Sequence, residues 1–456
     1  MEVEYEKLIR RLNPPRVVID NDSCDYATVI RVDSVNKHGI LLQVVQVLTD
    51  ISLIINKAYI SSDGEWFMGV FYASDYYGNK IRSQEVLDYI QKTIESDAPL
   101  TASVKESVGV MPSEEYTSIE LSGNDRPGLL SEVCAVLTDL ACNVVNAEIW
   151  THNARAAAVM NVTDSLTGRA IIDPKRLLSI KTLLCYVLKG NDDFQTAQMR
   201  LSPPGAHRGR RLHQIMLDDG GYEKMETIEH TRVEKKYPRP NIIVADCPEK
   251  DYTVITMRSM DRPKLLFDIV CTLTDMKYVV FHGMVACGTM EACQVKDFEF
   301  YIRDINGRRI RSEAERERVR QCLEAAIERR ASEGLELELR TEDRSGLLSD
   351  ATRIFRENGL AIRRAEISTT NGEAIDTFHV TDVEGNTVDP IIIESIREQI
   401  GLTTLQVKQK SCISSKHTQE TRISSILASF FKRPKPENLQ QNRLYCPANL
   451  GRRRSV

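Results

Sequence analysis

The sequence has no C-x-x-C pair, no H-x-H or H-x-x-x-H spacing and no apolar run of the roughly 18–20 residues that a membrane span needs. Its longest apolar candidate, Leu177–Leu188, is broken by Ser179 and Lys181. The 11 cysteines, an odd number scattered from Cys24 to Cys446, read as reduced thiols, not as a disulfide framework. His282 and His379 stand alone in strand-like runs and read as hydrogen-bonded histidines of a core or sheet edge. G-x-S-x-G, G-x-x-x-x-G-K-[ST] and a strand followed by G-x-G-x-x-G are all missing, so no enzyme activity, cofactor or metal is expected. A formal charge of −5 argues against a protein that coats nucleic acid. The acidic start, Met1-Glu-Val-Glu-Tyr-Glu6, carries neither a signal nor a transit pattern, and a cytoplasmic location is expected, with the nucleus as alternative.

An internal repeat is present instead. Asn36-Lys-His-Gly-Ile-Leu-Leu42, Asp125-Arg-Pro-Gly-Leu-Leu130, Asp261-Arg-Pro-Lys-Leu-Leu266 and Asp343-Arg-Ser-Gly-Leu-Leu348 share one loop-and-helix start. With Gly39, Gly128, Lys264 and Gly346 as anchors, a small residue follows 19 positions later: Ala58, Ala147, Gly283 and Ala365. Asp75, Asp164 and Asp382 stand another 17 positions on, whereas the third copy takes 21 to reach Asp304, an insertion of four. Register kept over this distance marks four copies of one unit.

Within the unit, alternating runs such as Tyr252–Arg258 and Leu335–Leu339 predict a first strand. Leu130, Val133, Cys134 and Leu137 then fall at i, i+3, i+4, i+7 and predict a helix. Two strands split by a polar turn follow, as at Ser61–Glu65 and Thr369–Glu373. Second helices are predicted over Ser83–Glu95, Pro174–Leu184, Ser312–Arg330 and Pro390–Ile400, with a last strand at Ala102–Ser107 and Leu405–Lys410. Each unit is β-α-β-β-α-β, so the fold class is α+β, four ferredoxin-like units arranged as two tandem pairs.

The Asp-Arg-Pro-Gly-Leu-Leu entry to the first helix of a βαββαβ unit resembles an ACT domain. Four such units with little else resemble the plant ACT-domain-repeat (ACR) proteins, whose units are similar to the regulatory pair of bacterial uridylyltransferase/uridylyl-removing enzymes. The resemblance divides the chain into an N-terminal segment (1–24), ACT units at 25–110, 115–190, 251–331 and 334–410, a linker at 191–250 and a tail at 411–456. It implies amino acids bound where two units meet, at the loop of one and the facing second strand. Carried over, it selects Asp125, Gly128 and Leu129 with Asn146 and Ala147. It also selects Asp343, Gly346 and Leu347 with Ala365 and Glu366, and Gly39 and Ile40 with Asn56 and Ala58.

Physical chemistry supports such a loop independently of the family. Asp can cap backbone N–H groups, Pro fits the first helical turn, and Gly permits close backbone approach. The helix start favours a carboxylate by about 0.3–1 kcal/mol. The same residues would also serve simply to turn the chain tightly from strand to helix.

Anchors lie 89 apart between units 1 and 2, 82 between 3 and 4, and 136 across the middle, so units 1 and 2 are expected to dock together, and 3 with 4. Little room remains for a strand at Arg329–Gly334, which predicts a shortened or borrowed edge strand there. Lys264 and the four-residue insertion, expected to lengthen a hairpin or force a bulge, mark unit 3 as structural. From Lys410 onward ten Lys/Arg face two Glu, as expected of a solvated disordered tail, with membrane-surface or nuclear-import signals as alternatives.

Two readings of function follow. One is an amino-acid sensor without catalysis, glutamine being favoured through the uridylyltransferase resemblance. The other is a scaffold whose units pair with a regulated enzyme or another ACT-containing protein, and self-association into a homo-oligomer fits either.

Overall fold

The computed structural model describes residues 14–63, 65–96, 116–190, 197–202, 207–218, 239–290, 293–329, 334–370 and 372–408. Unit 1 runs β2 (Thr28–Val35), α1 (Ile40–Asp50), β3 (Ile54–Asp63), β4 (Trp66–Ser74) and α2 (Gln84–Glu95), preceded by β1 (Arg16–Asp20). Unit 2 is β5 (Thr117–Asn124), α3 (Leu129–Asp139), β6 (Cys142–His152), β7 (Arg155–Asp164), α4 (Pro174–Lys189) and β8 (Gln198–Leu201). After α5 (Arg208–Asp218) and β9 (Asn241–Cys247), unit 3 has β10 (Tyr252–Met260), α6 (Leu265–Asp275), β11 (Tyr278–Met290), β12 (Cys293–Asp304) and α7 (Glu313–Glu328). Unit 4 is β13 (Leu335–Glu342), α8 (Leu347–Glu357), β14 (Leu360–Thr370), β15 (Glu373–Asp382), α9 (Pro390–Ile400) and β16 (Leu405–Val407).

The four ferredoxin-like units hold, but the docking expected from their spacing is reversed. Unit 1 joins unit 3 in one eight-stranded antiparallel sheet, β1-β2-β4-β3-β11-β12-β10-β9. Unit 2 joins unit 4 in the other, β16-β13-β15-β14-β6-β7-β5-β8. The seams are β3–β11, with Ala58 opposite Val285 and Gly283 opposite Ile60, and β6–β14, with Ala147 opposite Ile367 and Ala365 opposite Ile149. Each small residue 19 positions after an anchor therefore meets a branched aliphatic across its seam. A Cβ at Gly283 would come within 2.7 Å of the Phe300 ring, so the core leaves no room there.

Two further expectations change. The edge strand of units 1 and 3 precedes the unit: β1 pairs β2, and β9 pairs β10. It fills the position that β8 and β16 occupy from the other end in units 2 and 4. The strand expected at Ala102–Ser107 lies outside the described residues, as does the tail from 409 on. The stretch 191–250, expected as a linker, carries β8, α5 and β9. The borrowed edge strand of unit 3 is thus β9, drawn from that stretch.

The amphipathic α5 joins the two sheets. Its Leu212 and Met216 pack with Trp150, Ala157 and Val159 of β6 and β7 and with Cys322, Ala325 and Ala326 of α7. Arg211 forks onto Glu120 of β5 at 2.6 and 2.8 Å. Below, Asp268 of α6 accepts from Arg262 Nη1 (2.8 Å) and Arg329 Nη2 (3.2 Å), and lies 2.9 Å from His213 Nε2. The Arg329 guanidinium lies 3.5 Å over the Trp150 ring. Asp268, His213 and Arg329 are all buried, so removing one partner leaves charge without compensation. Because α5 covers the second sheet's open face, β7 is buried on both sides and reads Ala156-Ala-Ala-Val-Met160 without polar alternation.

The four-residue insertion of unit 3 lengthens its hairpin, with pairing continuous out to Met290 opposite Cys293. A bulge occurs in all four units at one place, 17 residues after each anchor: Asn56, Val145, Phe281 and Arg363.

Candidate functional site

Each loop turns from strand to helix through a left-handed residue immediately before the first helical one. Gly39, Gly128 and Gly346 sit at φ +86°, +82° and +80°. Lys264 takes the same conformation at +62°, at a cost that glycine avoids. The second residue of the loop motif is structural. Arg126 forks onto Glu132 at 2.8 and 2.6 Å, and Arg262 and Arg344 reach Asp268 (2.8 Å) and Asp350 (2.6 Å) in the same way. The loop is thereby tied to the acid in the first turn of the helix it opens.

Because units pair across the two halves of the chain, the loops of units 2 and 4 face the partner unit's second strand and the end of its first helix. A Cβ on Gly128 would meet Arg356 Cδ of α8 at 2.6 Å, one on Gly346 Thr138 of α3 at 3.5 Å, and one on Gly39 Thr274 of α6 at 3.9 Å.

Between units 2 and 4 lies a cleft of about 450 Å³. Asp125, Gly128 and Leu129 line one wall, Ile362 and Arg363 of β14 the facing wall, and Ala156 and Ala158 the floor. Arg363, the bulge residue of β14, sets its Nη1 3.7 Å from Asp125 Oδ2. The Asp125 carboxyl is pushed above its ordinary range by burial, which outweighs the opposing charge of Arg363. Leu129 N–H closes the turn onto Arg126 C=O, and Glu132 N–H bonds Gly128 C=O, so Leu130 and Ser131 supply the intervening first-turn donors.

The pseudo-equivalent loop of unit 4 faces unit 2, where Asp343, Gly346 and Leu347 line a space of about 20 Å³, room for one water. Asp376 accounts for the difference. It occupies the strand position that Ala158 holds in unit 2, and it is buried. Burial above all pushes it up to about 7, with the Ser368 N–H bond (3.3 Å) opposing and the charge of Asp343 adding. Asp343 in turn accepts from Thr369 Oγ1 (3.2 Å) and Asn143 Nδ2 (3.4 Å).

The seam between units 1 and 3 is furnished differently. The strand residue paired five positions before each anchor is Ala156 in unit 2 and Ala374 in unit 4, but Phe67 in unit 1 and Lys296 in unit 3. Phe67 and Lys296 are both buried.

Sequence reasoning therefore brought together Asp125, Gly128 and Leu129 around the larger space and Asp343, Gly346 and Leu347 around the smaller. The strand residues selected with them lie elsewhere. Ala147, Ala365 and Ala58 are buried in the seams, and Asn146 and Glu366 pair with Ser368 and Glu148 there. Gly39 and Ile40 open α1, and Asn56 is the bulge residue of β3, donating to Ser74 Oγ at 2.9 Å. The residues that do face the loops, Ile362, Arg363 and Asn143, precede the selected ones by a few positions. The available signal was their place 15–17 positions after the anchors, at or just before the bulge.

Comparison with known proteins matches three of the four units to ACT domains. Residues 23–100 match the ACR family N-terminal ACT domain, and residues 117–173 and 336–398 match the ACT domain. The chain is 62% identical to the ACT domain-containing protein ACR6 of Arabidopsis thaliana over 439 residues, covering 95% of this chain and 99% of that protein. It is 56% identical to ACR4 of the same plant, covering 95% and 96%. A bifunctional uridylyltransferase/uridylyl-removing enzyme of Rhodospirillum rubrum is 27% identical over 246 residues, which are 53% of this chain and 23% of that enzyme.

Proposed function

The chain belongs to the ACR family of ACT domain-containing proteins, and from that premise we propose that it is a non-catalytic regulatory protein that senses a free amino acid in the cleft between units 2 and 4. The observation that carries this reading is the charge layout of that cleft. A carboxylate (Asp125) and a guanidinium (Arg363) stand 3.7 Å apart at the mouth of a space of about 450 Å³, floored by Ala156 and Ala158. A zwitterion complements both: its ammonium is drawn to Asp125 and its carboxylate to Arg363 and the start of α3. The apolar floor receives the side chain. Glutamine, favoured through the similarity to the uridylyltransferase/uridylyl-removing enzyme, is the first ligand to test.

Modest affinity suffices for an abundant metabolite, since about 1 mM corresponds to roughly −4 kcal/mol. Titration calorimetry of the full chain against the twenty amino acids tests the proposal. One class should bind at one equivalent, Asp125→Asn should weaken it at least about tenfold, and Asp343→Asn should leave it unchanged. A flat response to all twenty would instead favour units that serve as pairing modules for a regulated enzyme or another ACT-containing protein.

A further inference from the structure

Lys296 is a buried lysine in the third strand of unit 3, on the helix-facing side together with Phe298 and Phe300. Its chain leads under the Asp261 loop to the seam with unit 1. There its Nζ donates to the Ile55 carbonyl oxygen at 2.6 Å and pairs with Asp261 Oδ1 at 2.8 Å. Side-chain exposure is 5% for Lys296 and 13% for Asp261, so the pair is largely removed from water. Burial of an ammonium is costly unless it is met by both charge and hydrogen bonds, and here a carboxylate and a main-chain oxygen meet it.

Both groups have counterparts in the other sheet. Asp261 stands three residues before its anchor, as do Asp125 and Asp343. Ile55 stands immediately before the bulge of β3, as Val144 and Ile362 do in β6 and β14. A loop carboxylate and a pre-bulge residue brought together across a seam are therefore a recurring element of this molecule: Asp343 and Val144 line one space, Asp125 and Ile362 the other. The strand residue beneath it differs: Ala156 and Ala374 on one side of the molecule, Lys296 here.

We infer that the seam between units 1 and 3 contains a primary-ammonium site, formed by Asp261 and the Ile55 carbonyl, and that the chain's own Lys296 is its resident occupant. The ligand class is an unbranched primary alkylammonium, because Lys296 presents its nitrogen at the end of a straight chain of methylenes.

Chemical rescue in the full-length protein tests the site without reference to the cleft between units 2 and 4, so either reading can fail alone. Lys296→Ala removes three carbons and the nitrogen, the outline of n-propylammonium. The variant should melt several degrees below wild type, and n-propylammonium chloride should restore it saturably, at one equivalent by calorimetry. n-Propanol and sodium chloride at equal concentration should not, and wild type should not respond. Recovery of folded Lys296→Ala only from medium containing propylammonium would be the same result. A folded variant that propylammonium stabilises no better than propanol overturns the inference. If Lys296→Ala stays unfolded in every medium, Lys296→Met decides. It fills the space without charge and should melt well below wild type, and a methionine variant as stable as wild type also overturns the site.

Discussion

Ala156 and Lys296 occupy one structural position in two units, and the contrast suggests a direct exchange. Ala156 is buried on the floor of the cleft between units 2 and 4, with Asp125 above it. Placing lysine there reproduces the arrangement of Lys296 with Asp261 and the Ile55 carbonyl. Ala156→Lys is therefore expected to keep the fold and abolish amino-acid binding in a calorimetric titration. Retained binding with an unchanged dissociation constant would remove this cleft as the ligand site. Asp376 offers a second test. Its folded pKa of about 7 lies above the 3.8 of the free group, so the folded chain holds a proton that the unfolded chain releases. Stability from this group is full below about pH 4 and lost as pH rises to about 7, an effect of about 4 kcal/mol. Asp376→Asn should therefore flatten the melting temperature between pH 5 and pH 8, with its gain over wild type at the alkaline end. A parallel pH profile for the two proteins would mean that the carboxyl is ionised throughout.

At the scale of elements, the edge strands show how one sheet position can be filled from either end of a unit. β1 gives Val17 to the first core, pairs along β2 from Arg16 to Asp20, and has its Val17 N–H held by Glu95 Oε1 of α2 at 3.0 Å. Deleting residues 1–20 should lower the melting temperature and leave β2 as an open edge prone to association. Calorimetry with light scattering reads both, and an unchanged, monodisperse melt would show that β1 adds nothing. The extended β11–β12 hairpin illustrates a different rule. Four added residues preserve the phase of inward and outward faces, so Phe298 and Phe300 stay in the core while the hairpin grows outward.

For the whole molecule, the decisive fact is that both sheets are built from one unit of each half of the chain. Units 1 and 2, made without units 3 and 4, would leave β3 and β6 as unpaired edges and expose half of each shared core. Residues 1–202 and 239–408, expressed separately, should each associate non-specifically. Mixed during refolding, they should form a 1:1 complex by analytical ultracentrifugation. Stable, monomeric halves that ignore each other would contradict the cross-half pairing. The buried Asp268, His213 and Arg329 cluster adds to this interlock, since α5 of the connecting stretch sets His213 against α6 and reaches Trp150 of unit 2 through Arg329.

The sequence by itself determined the units. Anchors in register, helical spacing such as Leu130, Val133, Cys134 and Leu137, and polar turns are local signals, and local sterics and burial make them legible. It also determined the loops: the left-handed turn at Gly39, Gly128 and Gly346 is the reason for glycine there. The docking partner of each unit was decided only in the tertiary structure. Chain proximity favours adjacent units, but loop closure over a longer stretch costs only slightly more. Seam complementarity, Ala147 against Ile367 and Gly283 against Ile60, then selects the partner. The content of each candidate site was decided there too. Asp125 reads like Asp343 and Asp261 along the chain, and only the strand folded beneath each loop separates an open cleft over Ala156 from a buried acid at Asp376 and a resident ammonium at Lys296.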